Sequence, residues 1–79
     1  MIRDKLAYAK FHLNQLVKLC SNVYNISTSS VDKLYAYRLG LFAKELLNDD
    51  VLDKYSDLEL EIIGINAFKM WKPLLHTAW

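Results

Sequence analysis

The chain has 79 residues, of which 53% are hydrophobic and 13% aromatic, and a formal net charge of +1. That length implies one domain, near the size where a single core is marginal without a disulfide, a metal or a partner subunit. A single cysteine, Cys20, excludes an internal disulfide, and two glycines and one proline argue against a turn-rich β fold.

The start Met1-Ile2-Arg3-Asp4-Lys5 lacks the apolar stretch of a secretory signal, and no apolar run is long enough to cross a bilayer. The expectation is a reduced, cytoplasmic protein with no membrane partner. Charge is unevenly spread: residues 1–44 carry a balance of +5, residues 45–61 one of −6, and residues 62–79 one of +2. Such asymmetry marks either a surface for a charged partner or two regions that face each other in the fold.

The first helix is expected over about residues 3–24. Ile2, Leu6, Ala9, Leu13, Leu16, Cys20 and Val23 alternate steps of four and three, an unbroken apolar stripe. Polar residues from Asn25 to Ser30 interrupt it, because their side chains compete with helical backbone hydrogen bonds. Ser29, with Asp32 three residues on, or Ser30 alone, would cap the next helix.

The second helix is expected over about 30–48. Val31, Tyr35, Leu39, Phe42 and Leu46 form its main stripe, widened by Leu34 and Leu41, and Ala36, Gly40 and Ala43 form a seam of small residues on another face. Gly40 costs about 1 kcal/mol relative to alanine in a helix interior, so a close helix approach is expected there. A helix apolar around most of its circumference should be the central one or should touch another chain. Arg38 and Glu45 fall within that apolar arc, so they must be paired or lie at a subunit boundary.

Asn48-Asp49-Asp50 ends this helix, and a short helical turn capped by Asp50 is expected next. Ser56-Asp57-Leu58-Glu59 is a capping box and opens a third helix over about 57–72, with Leu60, Gly64, Ala67, Trp71, Leu74 and Ala78 on one stripe. Pro73 should break it, leaving 73–79 as a short terminal segment that includes Trp79. The fold expected is all-α: a single domain over 1–79 forming a three-helix antiparallel bundle with a short fourth segment after Pro73.

No catalytic, metal or cofactor site is expected. Cys20 lies eight residues from His12 in the helix 1 pattern, too far for a thiolate and base pair on one helix, and reads as a buried structural thiol. His12, His76 and Cys20 are too few and too scattered for a zinc site within one chain. Gly40 and Gly64 both fall inside helical patterns, so there is no phosphate-binding glycine loop. The stretch from Tyr35 to Asp50 has a faint helix-turn-helix spacing, but its second half carries Lys44 against Glu45, Asp49 and Asp50, the wrong sign for approaching phosphates.

What the sequence leaves over is surface. Tyr8, Phe11, Tyr37, Leu58, Ile62 and Ile65 fall outside the core stripes, and such clusters suggest an apolar interface with a partner or a second copy. Glu45, Asp49, Asp50, Asp53, Asp57 and Glu61 form an acidic segment. Its first members crowd a helix C-terminus, where the dipole favours cations instead, so it is expected to dock a basic partner. The function expected is a non-enzymatic regulator or inhibitor that binds another protein and acts by occlusion, of the inhibitor, immunity, antitoxin or regulatory-subunit type. The alternatives are a homo-oligomeric assembly subunit, the simplest being a homodimer, and a small nucleic-acid-binding transcriptional regulator.

Overall fold

The computed structural model describes the backbone of residues 4–77 and the side chains of residues 4–75. Three α-helices, α1 (Asp4–Ile26), α2 (Ser30–Leu47) and α3 (Asp57–Thr77), are joined by a three-residue link and by a longer connection holding one 3-10 turn, Leu52–Lys54. Ile2, Ala78 and Trp79, assigned to stripes or to the terminal segment on sequence, lie outside the described residues, as does the side chain of His76.

α1 follows its heptad stripe. Ala9, Leu13, Leu16, Cys20 and Val23 are buried, joined by Leu19, and Leu6 packs against them. The helix runs past Val23 because the Ser27 amide still donates to the Val23 carbonyl at 2.8 Å. α2 starts where Ser29, in extended conformation, accepts the Asp32 amide on its Oγ at 3.4 Å. α3 starts at the capping box: the Ser56 amide donates to Glu59 Oε1 at 2.9 Å, and the Glu59 amide donates to Ser56 Oγ at 3.2 Å. These bonds from the Ser56 backbone and side chain hold the Glu59 carboxyl below the usual carboxylate range.

Helix order in the core differs from the expectation. α1, not α2, is central: it packs against both other helices, while α2 and α3 scarcely touch one another. The molecule is elongated and flattened, 44 × 22 × 15 Å. One helix with its side chains is about 10–12 Å across, so the shortest dimension leaves little depth to cover α1's neighbours from behind.

The reason lies in how α2 meets α1. Its buried residues are Ala36, Gly40 and Ala43, the small seam, with Leu39, Leu46 and Leu47 partly buried at the edges. A Cβ added at Gly40 would lie 3.2 Å from the Cys20 Cβ, so the close approach expected at this glycine is present. Of the stripe expected to be the core face, only Leu39 and Leu46 pack against the core; Val31 is 76% exposed and Tyr35 60%, and Phe42 is exposed, as are the flanking Leu34 and Leu41. The helix is also unbroken from Ser30 to Leu47, which removes the helix-turn-helix reading of that stretch.

α3 buries Leu60, Gly64, Ala67 and Leu74, with Trp71 packed beside them. A Cβ at Gly64 would clash with the Cδ2–Cε2 edge of the Tyr8 ring, so Tyr8 occupies the space this glycine leaves. The expected break at Pro73 does not occur: α3 continues to Thr77 with the proline inside it, and the only additional helical piece among the described residues is the 3-10 turn. That turn is preceded by Val51 without a side-chain cap, and Asp50 contributes its carbonyl, which accepts the Asp53 amide at 3.1 Å. An interior proline costs about 3 kcal/mol through a lost ladder bond and a ring clash. Here Leu74 is buried and Trp71 is hydrogen-bonded to α1, so tertiary contacts on both sides hold the last turns in place.

The two glycine contacts predict different tolerances. Gly64→Val should destabilise the fold by about 1–3 kcal/mol, because the side chain must displace the Tyr8 ring. Gly40→Ala should cost much less, since about 1 kcal/mol of helix propensity offsets the tighter contact. Chemical denaturation of the two variants checks the order; equal loss at both positions would contradict it.

Candidate protein-interaction surface

At 3.6 residues per turn, Val31, Leu34, Tyr35, Arg38, Leu41, Phe42 and Glu45 share one face of α2, opposite Ala36, Gly40 and Ala43. All seven are exposed. Val31, Leu34, Tyr35, Arg38 and Phe42, with the half-buried Leu39, line a shallow depression of about 410 Å³. Fully burying a side chain of this size is worth about 1.5–3 kcal/mol, so each half-exposed one leaves about 1 kcal/mol unrealised. Five such residues in one stripe amount to a sizeable fraction of a domain's typical net stability of about 5–15 kcal/mol.

Arg38 and Glu45 sit within this stripe, two turns apart and opposite in sign. No ion pair or hydrogen bond engages either side chain within the described residues. Their presence was the signal that this face is not the core, because burying both ions without partners would cost several kcal/mol each. Of the two outcomes expected for them, pairing inside the fold or a place at the surface, the structure shows both side chains exposed.

Phe42 also lines a second groove, between α2 and α3, of about 270 Å³. Leu13 and Leu16 of α1 line it with Leu46 of α2 and Ile63 and Met70 of α3. It exists because α2 and α3 barely meet, so a gap remains between them above Leu13 and Leu16, which are themselves buried.

The residues assigned to an apolar surface on sequence do not come together as one patch. Leu58, Ile62 and Ile65 are exposed on the side of α3 away from the core stripe, Leu58 being 68% exposed. Tyr37 is exposed beside Tyr24, their ring centroids 6.2 Å apart. Tyr8 is only half-buried surface, set against Gly64 between α1 and α3. Phe11 is exposed but leans edge-on against His12 at 5.1 Å. In the acidic segment, Glu61 pairs with Lys5 at 3.4 Å, and Asp53 and Asp57 have partners of their own. Glu45, Asp49 and Asp50 are exposed around the C-terminal end of α2, with Asp49 at a positive φ of 47°.

One cluster was not legible as such. His12 is surrounded by Tyr8, Phe11, Phe68 and Trp71, with ring centroids 4.5 to 6.0 Å away. The Trp71 indole N–H donates to His12 Nδ1 at 3.0 Å. An indole nitrogen only donates, so the imidazole is neutral with its proton on Nε2. Burial holds its pKa below the ordinary histidine value. This cluster joins α1 to α3. The Cys20 thiol is buried and pushed up to about 11 by that burial, which leaves it protonated and unreactive at neutral pH. Among the described residues, no group of three or more His, Cys, Asp or Glu side chains could hold a metal ion. No described helix is long and apolar enough to cross a membrane.

Comparison with family models, with curated proteins and with solved structures gave no match.

The His12 contact sets a pH dependence. Its folded pKa lies below the ordinary value of 6.5, so as pH falls the unfolded chain takes up the proton first. The His12 contribution is therefore full above that value and is lost as pH falls towards the folded pKa, below which it levels off. Urea midpoints measured between about pH 7.5 and 5.5 should decline in the native protein and decline less in His12→Gln, which keeps an acceptor but does not titrate. An identical slope in both proteins would remove the assignment.

Proposed function

We propose that this protein is a non-enzymatic protein-binding module that works through the outward stripe of α2 by occluding or bridging a protein partner. The single observation that carries the reading is the orientation of α2: it offers small residues to its own core and large apolar residues to solvent. Clustered apolar and aromatic exposure of this kind is where protein partners bind. The stripe stands on a rigid element, because Ser29 fixes one end of α2 and the Gly40 contact fixes its middle against α1. Glu45, Asp49 and Asp50 lie at one end of it and serve to steer and select the partner, adding more to association rate than to affinity.

The proposed arrangement has α1 and α2 antiparallel and α1 and α3 running the same way. It is supported by the order of contacts. Tyr24 meets Lys33 and Tyr37 while Cys20 meets Gly40; in contrast, Lys5 meets Glu61, Tyr8 meets Gly64 and His12 meets Phe68. The up-down-up path this implies leaves one side of α2 without a neighbouring helix among the described residues. The proposed setting is reducing and cytoplasmic, in keeping with the free buried thiol of Cys20.

A photo-reactive phenylalanine analogue at position 42, irradiated in the source cells, tests the reading. An adduct should form there and should vanish when Leu34→Ser and Tyr35→Ser are added. Both changes are at exposed positions and should leave the unfolding free energy of the monomer within about ±0.5 kcal/mol of native. No adduct at 42, with adducts at a control site such as Lys10, would overturn it.

A further inference from the structure

We infer that the occupant of the α2 stripe is a second copy of this chain, docked helix against helix in antiparallel orientation about a two-fold axis. The inference rests on the reading of this stripe as an interface and adds the identity of what covers it.

The charges on the stripe choose among the possible occupants. Arg38 and Glu45 are the only ionised residues on a face otherwise made of Val31, Leu34, Tyr35, Leu41 and Phe42. Neither is paired within its own chain among the described residues. An interface that covers them must neutralise both, since leaving either charge buried and alone is strongly unfavourable. In a two-fold contact, whatever residue i meets on residue j is repeated with the roles exchanged. If the axis passes near Leu41, between the two charges, Arg38 of each copy faces Glu45 of the other. One surface then supplies both the cation and the anion it needs, and both pairs form at once around a centre of Leu41 and Phe42.

The parallel alternative fails on the same charges. Two α2 helices side by side in register would set Arg38 against Arg38 and Glu45 against Glu45, which is repulsive at both places. The spacing also suits a helix pair. Val31, Leu34, Arg38, Leu41 and Glu45 alternate steps of three and four, the pattern that keeps a seam facing a partner helix. In such seams a few polar residues fix register and orientation while apolar neighbours supply most of the stabilisation. α2 is well placed for this, because no other helix among the described residues packs behind it.

Charge reversal tests the arrangement with sedimentation equilibrium and native mass spectrometry, over about 1 µM to 1 mM protein. The native chain should shift from monomer to dimer across the series. Arg38→Glu and Glu45→Arg should each weaken self-association about tenfold or more, since each turns two attractive contacts into repulsive ones. An equimolar mixture of these two variants should regain dimers, and those dimers should be mixed, with one chain of each kind. The double variant carrying both reversals should self-associate again. Helical circular dichroism should be unchanged in all of them, as should melting at concentrations low enough for every protein to be monomeric, because both side chains are exposed and make no hydrogen bond or ion pair within the described residues. A native chain that stays monomeric throughout overturns the inference, and so does a dimer that ignores single reversals or is not restored by mixing. The crosslinking experiment at position 42 separates this failure from failure of the binding reading. A cellular adduct with a different protein, from a chain that is monomeric when pure, overturns the second copy alone; no adduct at all overturns both.

Discussion

The fold depends on α1 packing on two sides at once. A single stripe from Leu6 to Val23 accepts α2 along one edge and α3 along the other, and each neighbour comes close at a glycine. At Gly40 the α2 backbone approaches Cys20, and at Gly64 the α3 backbone makes room for the Tyr8 ring. Close packing makes both contacts sensitive to single added carbons, because protein interiors hold little free volume. Without α1 the other two helices would have almost no contact with each other.

That dependence has a consequence for the surface. In a bundle closed on all sides, α2 and α3 would meet and bury the remaining apolar residues between them. Here they stay apart, which leaves the groove beside Phe42 and the whole outer stripe of α2 facing water. A chain this short cannot bury both faces of a helix that is apolar nearly all round, because its surface is large relative to its volume. The choice of which face goes inward therefore decides what the protein offers to others. The small seam goes inward, where it allows a close approach, and the large residues with Arg38 and Glu45 go outward.

The α1–α3 side is a contrast. It is held by an aromatic cluster around a neutral histidine, by the Trp71 hydrogen bond, and by the Lys5–Glu61 pair near its other end. The hydrogen bond gives it direction and the rings give it area, which together carry α3 through Pro73. The Lys5–Glu61 pair is largely exposed and adds little to stability, at most about 1 kcal/mol. This side is a built interface within the chain, whereas the α2 stripe faces solvent.

Local sequence determined the helices and their starts. The heptad stripe of α1, the Ser29 cap and the Ser56–Glu59 capping box are short-range features whose physics is complete within a few residues, and the structure contains all three. The close approach at Gly40 was also legible, since an interior glycine needs a reason. Tertiary structure decided which helix is central, which face of α2 turns inward, and whether Pro73 ends α3. Each of these is a competition between two locally acceptable outcomes, settled by contacts with residues far away in the chain. Large side chains favour one face of α2 for the core, while Arg38 and Glu45 on that face oppose it; the burial of Ala36, Gly40 and Ala43 against α1, with Gly40 close to Cys20, separates the two. The His12 cluster had no sequence signal at all, because its rings sit on two helices and meet only when those helices pack.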